Sequence, residues 1–368
     1  MKTKRLAPGA TIGILGNGQL GRMTALAAAR LGYRTHSFGP EADAPAAHVS
    51  NRATVGDYTD EAALARFFAA CDVVTYEFEN IPATAIATVA AKSKTALHPS
   101  AKILAVCQDR IAEKTFLNRI GVATAPFLRV QTRNDLERAL ADIGRPSVLK
   151  TATMGYDGKG QIKIGPKMPV DDAFAVLKGT VGILEGFVDF EREISVVIAR
   201  AKGAKGAQVA CYVPVENRHK NHILDETLAP ARLKPALAHE AEAIAHHIAA
   251  KLDLVGLLAV EMFATRQGRL LVNELAPRPH NSGHWTIDAC PASQFEQLVR
   301  AVAGLPLGNA ERHSDARMKN LIGDDVLAVP ALLADANAIA HLYGKAEPRP
   351  GRKMGHVTWL KKKTRGRG

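Results

Sequence analysis

Apolar and polar positions alternate between two periods along the first hundred residues. Thr11–Leu15 (TIGIL) is a short apolar run, and Tyr33–Phe38 and Asp72–Phe78 (DVVTYEF) repeat the pattern. Between them, Leu20–Leu31, Thr59–Ala70 and Ala83–Ala91 carry apolar residues at helical spacing, with Asp60 and Glu61 in the first turn of the second. Strands that alternate with helices predict an α/β domain, doubly wound and Rossmann-like, around a parallel sheet. The pattern changes near residue 110. Ser147–Thr151 (SVLKT) and Gly160–Ile164 (GQIKI) are short β-rich runs around a glycine loop. Ile183–Val188, Arg192–Arg200 and Gln208–Val215 keep the β bias, and Pro235–Leu252 predicts a long helix. Gly256–Thr265 and Arg269–Ala276 flank Arg266-Gln267-Gly268, a hairpin signal. The middle of the chain therefore reads as α+β. From about residue 303 only short segments with Pro, Gly and basic residues follow, and there are no internal repeats.

Composition bounds the classes. The 368 residues are 47% apolar and 23% charged, which suits two or three globular domains and excludes a disordered or fibrous chain. Aromatics are only 5%, so Ala, Leu, Ile and Val must fill the cores. No run approaches the roughly 18 apolar residues of a membrane helix. Pro8, Gly9, Gly13 and Gly16 interrupt the stretch after the basic N-terminus, so no signal peptide is expected. None of the four cysteines are two to four residues apart, which leaves no zinc ribbon or CxxC motif. A reduced, cytoplasmic protein is expected. The formal charge of +12 suggests nucleic acid, but Lys361–Gly368 hold five cations and no acid. An isolated basic tail is not a basic face interleaved with aromatics, so no nucleic-acid partner is expected. The remaining excess suits a protein that handles phosphates.

Four segments carry candidate chemistry. Gly16-Asn17-Gly18-Gln19-Leu20-Gly21 matches G-x-G-x-x-G between a strand and a helix, with Glu41 20 residues beyond Gly21. That is the dinucleotide fingerprint in form. It is equally a tight strand-to-helix turn, and Asn17, Gln19 and Arg22 would serve a non-nucleotide ligand. In the second loop, Met154–Gln161, three glycines in six residues offer amides that can wrap polyphosphate. Lys159 adds a mobile charge; Lys150, at the end of an apolar strand, either snorkels to solvent or points at the same anion, and the glycine loop beside it favours the anion; the Walker A spacing is absent. In the hairpin, a two-residue turn at Gln267-Gly268 places Glu261 directly opposite Glu274. Opposed like charges are destabilising. A divalent cation reverses that penalty, and Mg²⁺ is held by one or two carboxylates plus substrate phosphates, with Asn273 as a neutral oxygen beside them. A longer turn would slip the register by one and leave one Glu in solvent. Finally, Ala276–Trp285 (APRPHNSGHW) clusters Arg278, His280, Asn281 and His284 as a ligand loop beside this hairpin.

The segments GILGNGQLGRM, TYEFENIP, QDRIAEK, KTATMGYDGKGQ, EGFVDFEREISV, NELAPRPHNSGHWT and YGK with GRKMGHV occur in this order. Together they resemble the N5-carboxyaminoimidazole ribonucleotide synthetase family, ATP-grasp enzymes of purine biosynthesis. The likeness runs from about residue 10 to residue 360, with Asn17 where the family usually has a third glycine. It implies a pre-ATP-grasp domain over 1–110, an ATP-grasp domain over 111–302, a small C-terminal domain over 303–360 and a disordered basic tail over 361–368. It also implies the carboxylation of 5-aminoimidazole ribonucleotide by ATP and bicarbonate through carboxyphosphate, giving ADP and phosphate. Mg²⁺, with Mn²⁺ as an alternative, and a homodimer come with the family.

By this resemblance Arg110, Lys150, Gly155, Tyr156, Asp157, Gly158, Lys159, Gly160 and Gln161 contact the ATP phosphates. Glu185, Gly186, Phe187 and Val188 form the adenine linker, Glu193 accepts the ribose hydroxyls, and His219 is a further ATP contact. Glu261 and Glu274 match the Mg²⁺ ligands, beside Asn273. Gln19, Glu77, Arg278, His280 and Asn281 face the ribonucleotide, and Lys345 and Arg352 hold its 5′-phosphate. Asp157, Arg278, His280 and Asn281 carry the catalytic expectation, with Gly155–Gly160 as a lid. The rivals are another ATP-grasp ligase acting on a different amine or acid, and a nicotinamide-dependent oxidoreductase built on Gly16–Gly21 and Glu41. The second leaves Glu261 and Glu274 unexplained.

Overall fold

A computed structural model of the chain describes residues 5–155, 160–203 and 206–364. Their strands form three sheets. The first is parallel, in the order Arg52–Val55, Arg34–Gly39, Thr11–Leu15, Val73–Tyr76, Ala96–Leu97. The strand order reverses beside Thr11–Leu15, which creates a crevice at the carboxyl ends of that strand and Val73–Tyr76. Helices Gln19–Arg30, Glu61–Ala69 and Ala83–Lys92 begin and end within two residues of the expected positions. Asp60 caps the second by accepting the Ala63 N–H at 2.9 Å. Phe38, Leu64, Phe67, Phe68, Val74 and Tyr76 form the core of this unit.

Glu77 follows the strand Val73–Tyr76 and fills the glycine turn from inside. Its carboxylate accepts the N–H groups of Gly18 and Gly21 and is only 6% exposed. A Cβ on Gly16 would lie 2.2 Å from the Glu77 Cγ, and one on Gly18 2.7 Å from its Oε1. The amides that face a pyrophosphate in a dinucleotide fold are thus taken by a side chain of this chain. This removes the physical basis of the nicotinamide reading. Burial pushes the Glu77 carboxyl up, against the opposing effect of the two amides and of Arg278 and Lys345.

The second sheet has nine antiparallel strands. Eight lie in the order Leu270–Ala276, Gly256–Thr265, Phe190–Gly203, Val215–Lys220, Ile223–Ala229, Ser314–Ile322, Lys353–Lys362, Ala338–Leu342. Gly206–Cys211 pairs with the distal half of Phe190–Gly203. The expected single strand Gln208–Val215 is therefore two strands, Gly206–Cys211 and Val215–Lys220, interrupted at Pro214, which has no N–H to donate to a ladder. Helix Pro235–Lys251 lays Ala241, Ala245 and Ile248 on Ile194, Val196, Leu258 and Val260. A third, four-stranded antiparallel sheet runs Phe127–Val130, Gly182–Gly186, Ser147–Thr151, Gln161–Ile164. No described helix is long and apolar enough to cross a membrane.

The C-terminal region differs from its sequence reading. Ser314–Ile322 and Lys353–Lys362 are long strands that extend the central sheet. Lys361 and Lys362 pair with Asp315 and Ser314, and Lys363 bonds the Glu311 carboxylate. The basic stretch expected to be disordered thus begins inside a strand, where backbone pairing with Ser314–Ile322 reaches Lys362 and the Glu311 carboxylate accepts from Lys363. Residues 365–368 lie outside the described residues.

A substitution tests the filled turn. Gly16→Ala faces both a φ of +110° and the Glu77 contact. It should cost about 2–4 kcal/mol in urea unfolding. Gly9→Ala, with a φ of +88° but open space around it, should cost only about 1 kcal/mol. Equal costs at the two positions would contradict the packing of Glu77 in the turn.

Candidate active site

One cavity of about 700 Å³ is lined by the second and third sheets, by the start of helix Gln19–Arg30 and by Phe78–Asn80, the segment after strand Val73–Tyr76. The hairpin Gly256–Thr265 and Leu270–Ala276 supplies Glu261, Asn273 and Glu274, and the loop after it supplies Arg278, His280 and Asn281. Lys150, Gln161 and Glu185 come from the four-stranded sheet, and Gln19 from the start of the first helix.

The hairpin turn is one residue longer than expected. Gly268, at φ +74°, donates to the Thr265 carbonyl at 2.9 Å, and Arg266–Gly268 form the connection. That register alone would set Glu261 against Asn273. A β-bulge next to Met262 takes up one residue, so Glu261 pairs with Glu274 after all. The bulge leaves the Asn273 Oδ1 buried with no hydrogen-bond partner among the described residues, while its backbone carbonyl accepts the Lys114 Nζ at 3.1 Å.

The surroundings shift the two carboxylates in opposite directions. Burial pushes the Glu274 carboxyl up, as does the Glu261 charge, with Arg110 and Lys150 opposing. Burial also acts against a charged Glu261, but His280, His219 and Arg278 bring that group down to about 2. His280 Nε2 lies 2.8 Å from Glu261 Oε1, and Arg110 Nη1 lies 3.8 Å from Glu274 Oε2. Two carboxylates and an orphaned amide oxygen form a hard-oxygen donor set that fits a divalent cation. No group of three or more His, Cys, Asp or Glu among the described residues makes an all-protein metal cage. Mg²⁺ does not need one, because phosphates and water complete its shell.

Cations face this pair across the cavity. Lys150 Nζ donates to Glu185 Oε2 at 3.0 Å, and the Lys114 Nζ lies 3.5 Å from the same oxygen. The Glu185 side chain, expected to belong to a backbone adenine contact, is thus a buried clamp for two lysines. Burial would raise its carboxyl, but Lys150 and Lys114 hold it below the ordinary value. Gly186, Phe187 and Val188 do line the cavity, with Lys163 Nζ 3.8 Å from the Phe187 ring centroid and Phe190 stacked on Phe263 at 4.7 Å. Glu193 and His219 also line it and pair with each other at 2.7 Å.

Three site residues escaped the sequence reading. Glu79 grips Arg278 in a bidentate pair, with Nη2–Oε1 at 2.7 Å. Glu113 accepts the Leu275 N–H at 2.8 Å and is pushed up to about 8, mainly by burial and then by Glu274. Lys114 is 1% exposed. The available signals were the second acid in TYEFENIP and two charges on the inner face of helix Arg110–Arg119.

Other expected residues lie elsewhere. Glu77 packs in the glycine turn. Lys345 donates to the Lys353 carbonyl at 2.7 Å and Arg352 to the Glu347 carbonyl at 3.0 Å. Burial, then Arg352, lowers the Lys345 ammonium to about 8, with Glu77 and Glu41 opposing. Gly155 lines the cavity; Gly160, at φ +72°, does not, and its carbonyl accepts the Thr151 N–H. Tyr156, Asp157, Gly158 and Lys159 lie outside the described residues.

Three family models match in succession: a ribonucleotide synthetase preATP-grasp domain over residues 9–108, an ATP-grasp domain over 115–295, and a phosphoribosylaminoimidazole carboxylase C-terminal domain over 316–366. The chain is 50% identical over 366 residues to the N5-carboxyaminoimidazole ribonucleotide synthase of Brucella melitensis, covering 99% of this chain and all of that one. A crystal structure of an N5-carboxyaminoimidazole ribonucleotide synthetase in complex with ADP superposes with a TM-score of 0.93 at 42% identity, over 98% of this chain and 94% of that one. The Aspergillus clavatus synthase, crystallised with ADP and 5-aminoimidazole ribonucleotide, gives 0.90 at 30% identity, over 96% and 94% of the two chains. The chain therefore belongs to the N5-carboxyaminoimidazole ribonucleotide synthase family of ATP-grasp ligases.

Proposed function

We propose that this chain uses ATP and bicarbonate to carboxylate 5-aminoimidazole ribonucleotide, giving N5-carboxyaminoimidazole ribonucleotide, ADP and phosphate. One observation carries the reading. Glu261 and Glu274 face Arg110 and Lys150 in the same cavity, so oxygen ligands for a cation and cationic donors for phosphates meet there. Mg²⁺ held by Glu261 and Glu274, with the Asn273 oxygen beside them, would neutralise charge on the ATP phosphates.

Phosphoryl transfer needs positioning and charge neutralisation rather than a covalent nucleophile. A bicarbonate oxygen attacks the γ-phosphorus and the bond to ADP breaks, which yields carboxyphosphate. The exocyclic amine of the ribonucleotide then forms a bond to the carboxyl carbon, and phosphate leaves as the amine loses a proton. Arg110 and Lys150 lie where they can hold the phosphates. Arg278, His280 and Asn281, from the loop behind the hairpin, border the space next to them. Lys345 lies close enough to Arg352 and to Glu77 to feel both electrostatically. A lysine depressed by burial and a neighbouring cation suits a sugar-phosphate dianion, which restores its charge.

Two outcomes test this reading. Glu274→Gln should lower ADP release at saturating Mg²⁺ at least about 100-fold, yet leave the unliganded protein as stable or up to about 1 kcal/mol more stable, because the like-charge opposition is gone. A lost fold, or retained activity, would count against the pair as cation ligands. Secondly, Lys345 loses its charge as pH rises through about 8. The KM for the ribonucleotide should therefore climb between pH 7.5 and 9.5, and Lys345→Arg, charged throughout, should flatten that rise. An equally steep profile in both proteins would remove Lys345 from the phosphate site.

A further inference from the structure

Behind the ligand loop runs a line of buried hydroxyl and amide groups that the reaction scheme does not use. Ser195, Asn217 and Thr227 sit on three adjacent strands of the central sheet, and Ser195 pairs directly with Glu261. Ser195, Ser282 and Thr227 are fully buried and Asn217 nearly so. Thr227 Oγ1 donates to Asn217 Oδ1 at 3.2 Å, and Asn217 Nδ2 donates to Ser195 Oγ at 2.9 Å. Ser195 Oγ lies 2.6 Å from Ser282 Oγ, and Ser282 Oγ lies 2.8 Å from His280 Nδ1. At the far side of the ring, His280 Nε2 meets Glu261 Oε1 at 2.8 Å.

Each hydroxyl has one proton, so the direction propagates. Ser195 accepts from Asn217, and Ser282 Oγ is the one acceptor within reach of its buried proton among the described residues, so it gives that proton to Ser282. Ser282 accepts from Ser195 and therefore gives its proton to His280 Nδ1. The Ser282 backbone N–H, which can only donate, points at the same nitrogen at 3.3 Å. Nδ1 thus presents a lone pair, and the ring proton sits on Nε2, facing the Glu261 carboxylate. Gln294, itself fully buried, holds the ring's backbone in place: it accepts the His280 N–H at 2.9 Å and donates to the His280 carbonyl at 2.7 Å.

We infer that Thr227, Asn217, Ser195 and Ser282 form a one-way hydrogen-bond chain that fixes His280 as an Nε2–H donor to Glu261, which makes His280 a positioning group for that carboxylate rather than a base. The donor holds Oε1 and so fixes the orientation of the carboxylate, as outer partners orient metal-binding groups. Its consequence for catalysis rests on Glu261 being a cation ligand, as proposed above. The tautomer itself does not.

The direction of the chain can be reversed. Asn217→Asp is nearly isosteric but only accepts, so Ser195 would donate to it, Ser282 would donate to Ser195, and Nδ1 would lose its hydroxyl donor. Ring ¹⁵N NMR of histidine-labelled enzyme, with His280→Gln to assign the signal, should show His280 protonated on Nε2 in the unaltered protein. Asn217→Asp should shift the proton toward Nδ1 and lower kcat about 10–100-fold, with the KM for ATP changed less than twofold. The double variant Asn217→Asp/Ser195→Ala breaks the link through which the reversal travels, so it should regain most of the lost kcat although the added charge remains. An Nδ1–H signal in the unaltered protein overturns the inference whether or not the variants fold. So does a double variant no better than Asn217→Asp alone. Failure of the unaltered enzyme to release ADP in response to 5-aminoimidazole ribonucleotide would instead overturn the reading of the reaction, with the NMR result untouched.

Discussion

Two carboxylates directly opposed on one buried hairpin are the constraint that organises this protein. Glu261 and Glu274 repel each other, and burial raises the cost of charging either of them. Every element around them supplies an answer to that cost. The ligand loop brings His280 to Glu261, helix Arg110–Arg119 brings Arg110 to Glu274, and the bulge at Asn273 turns an amide oxygen inward. The compensation spreads outward in further pairs: Arg278 with Glu79, and Lys150 and Lys114 with Glu185. A site balanced in this way has its charges in place before the proposed cation and polyphosphate would bind, which is the preorganisation that phosphoryl transfer needs.

The same economy appears at the first sheet. Its switch-point crevice and glycine turn have the form of a dinucleotide site, yet the amides are occupied by Glu77. The turn is thereby rigid, and Gln19 at its edge is presented to the cavity. The C-terminal strands extend the central sheet, and the connection between the last two brings Lys345, with Arg352 beside it, toward Glu77. Distant parts of the chain thus converge on one place.

Much of this was legible from the chain alone, for identifiable reasons. The alternating units of the first hundred residues have strong periods and clear punctuation, so their elements fall where the pattern put them. The Glu261–Glu274 pairing was also legible, but by cancellation: the turn is one residue longer than assumed, and a bulge restores the register. A bulge has no local signature in this sequence apart from Asn273. Glu79, Glu113 and Lys114 were missed because their burial is decided by segments far away in the chain. Glu113, for example, is held by Leu275. Lys361 and Lys363 looked like a solvated tail because their partners, Asp315 and Glu311, are about fifty residues earlier. The chain from Thr227 to His280 was invisible for the same reason. Its members come from three strands and a loop, and each alone is an ordinary polar residue.

The central claim is that this cavity joins ATP cleavage to carboxylation through attack of bicarbonate on the γ-phosphate. The most direct measurement follows the oxygen. With ¹⁸O-labelled bicarbonate, Mg-ATP and 5-aminoimidazole ribonucleotide, mass spectrometry of the inorganic phosphate should find one ¹⁸O transferred per phosphate released. Phosphate released in step with product but carrying oxygen from water alone would contradict the account.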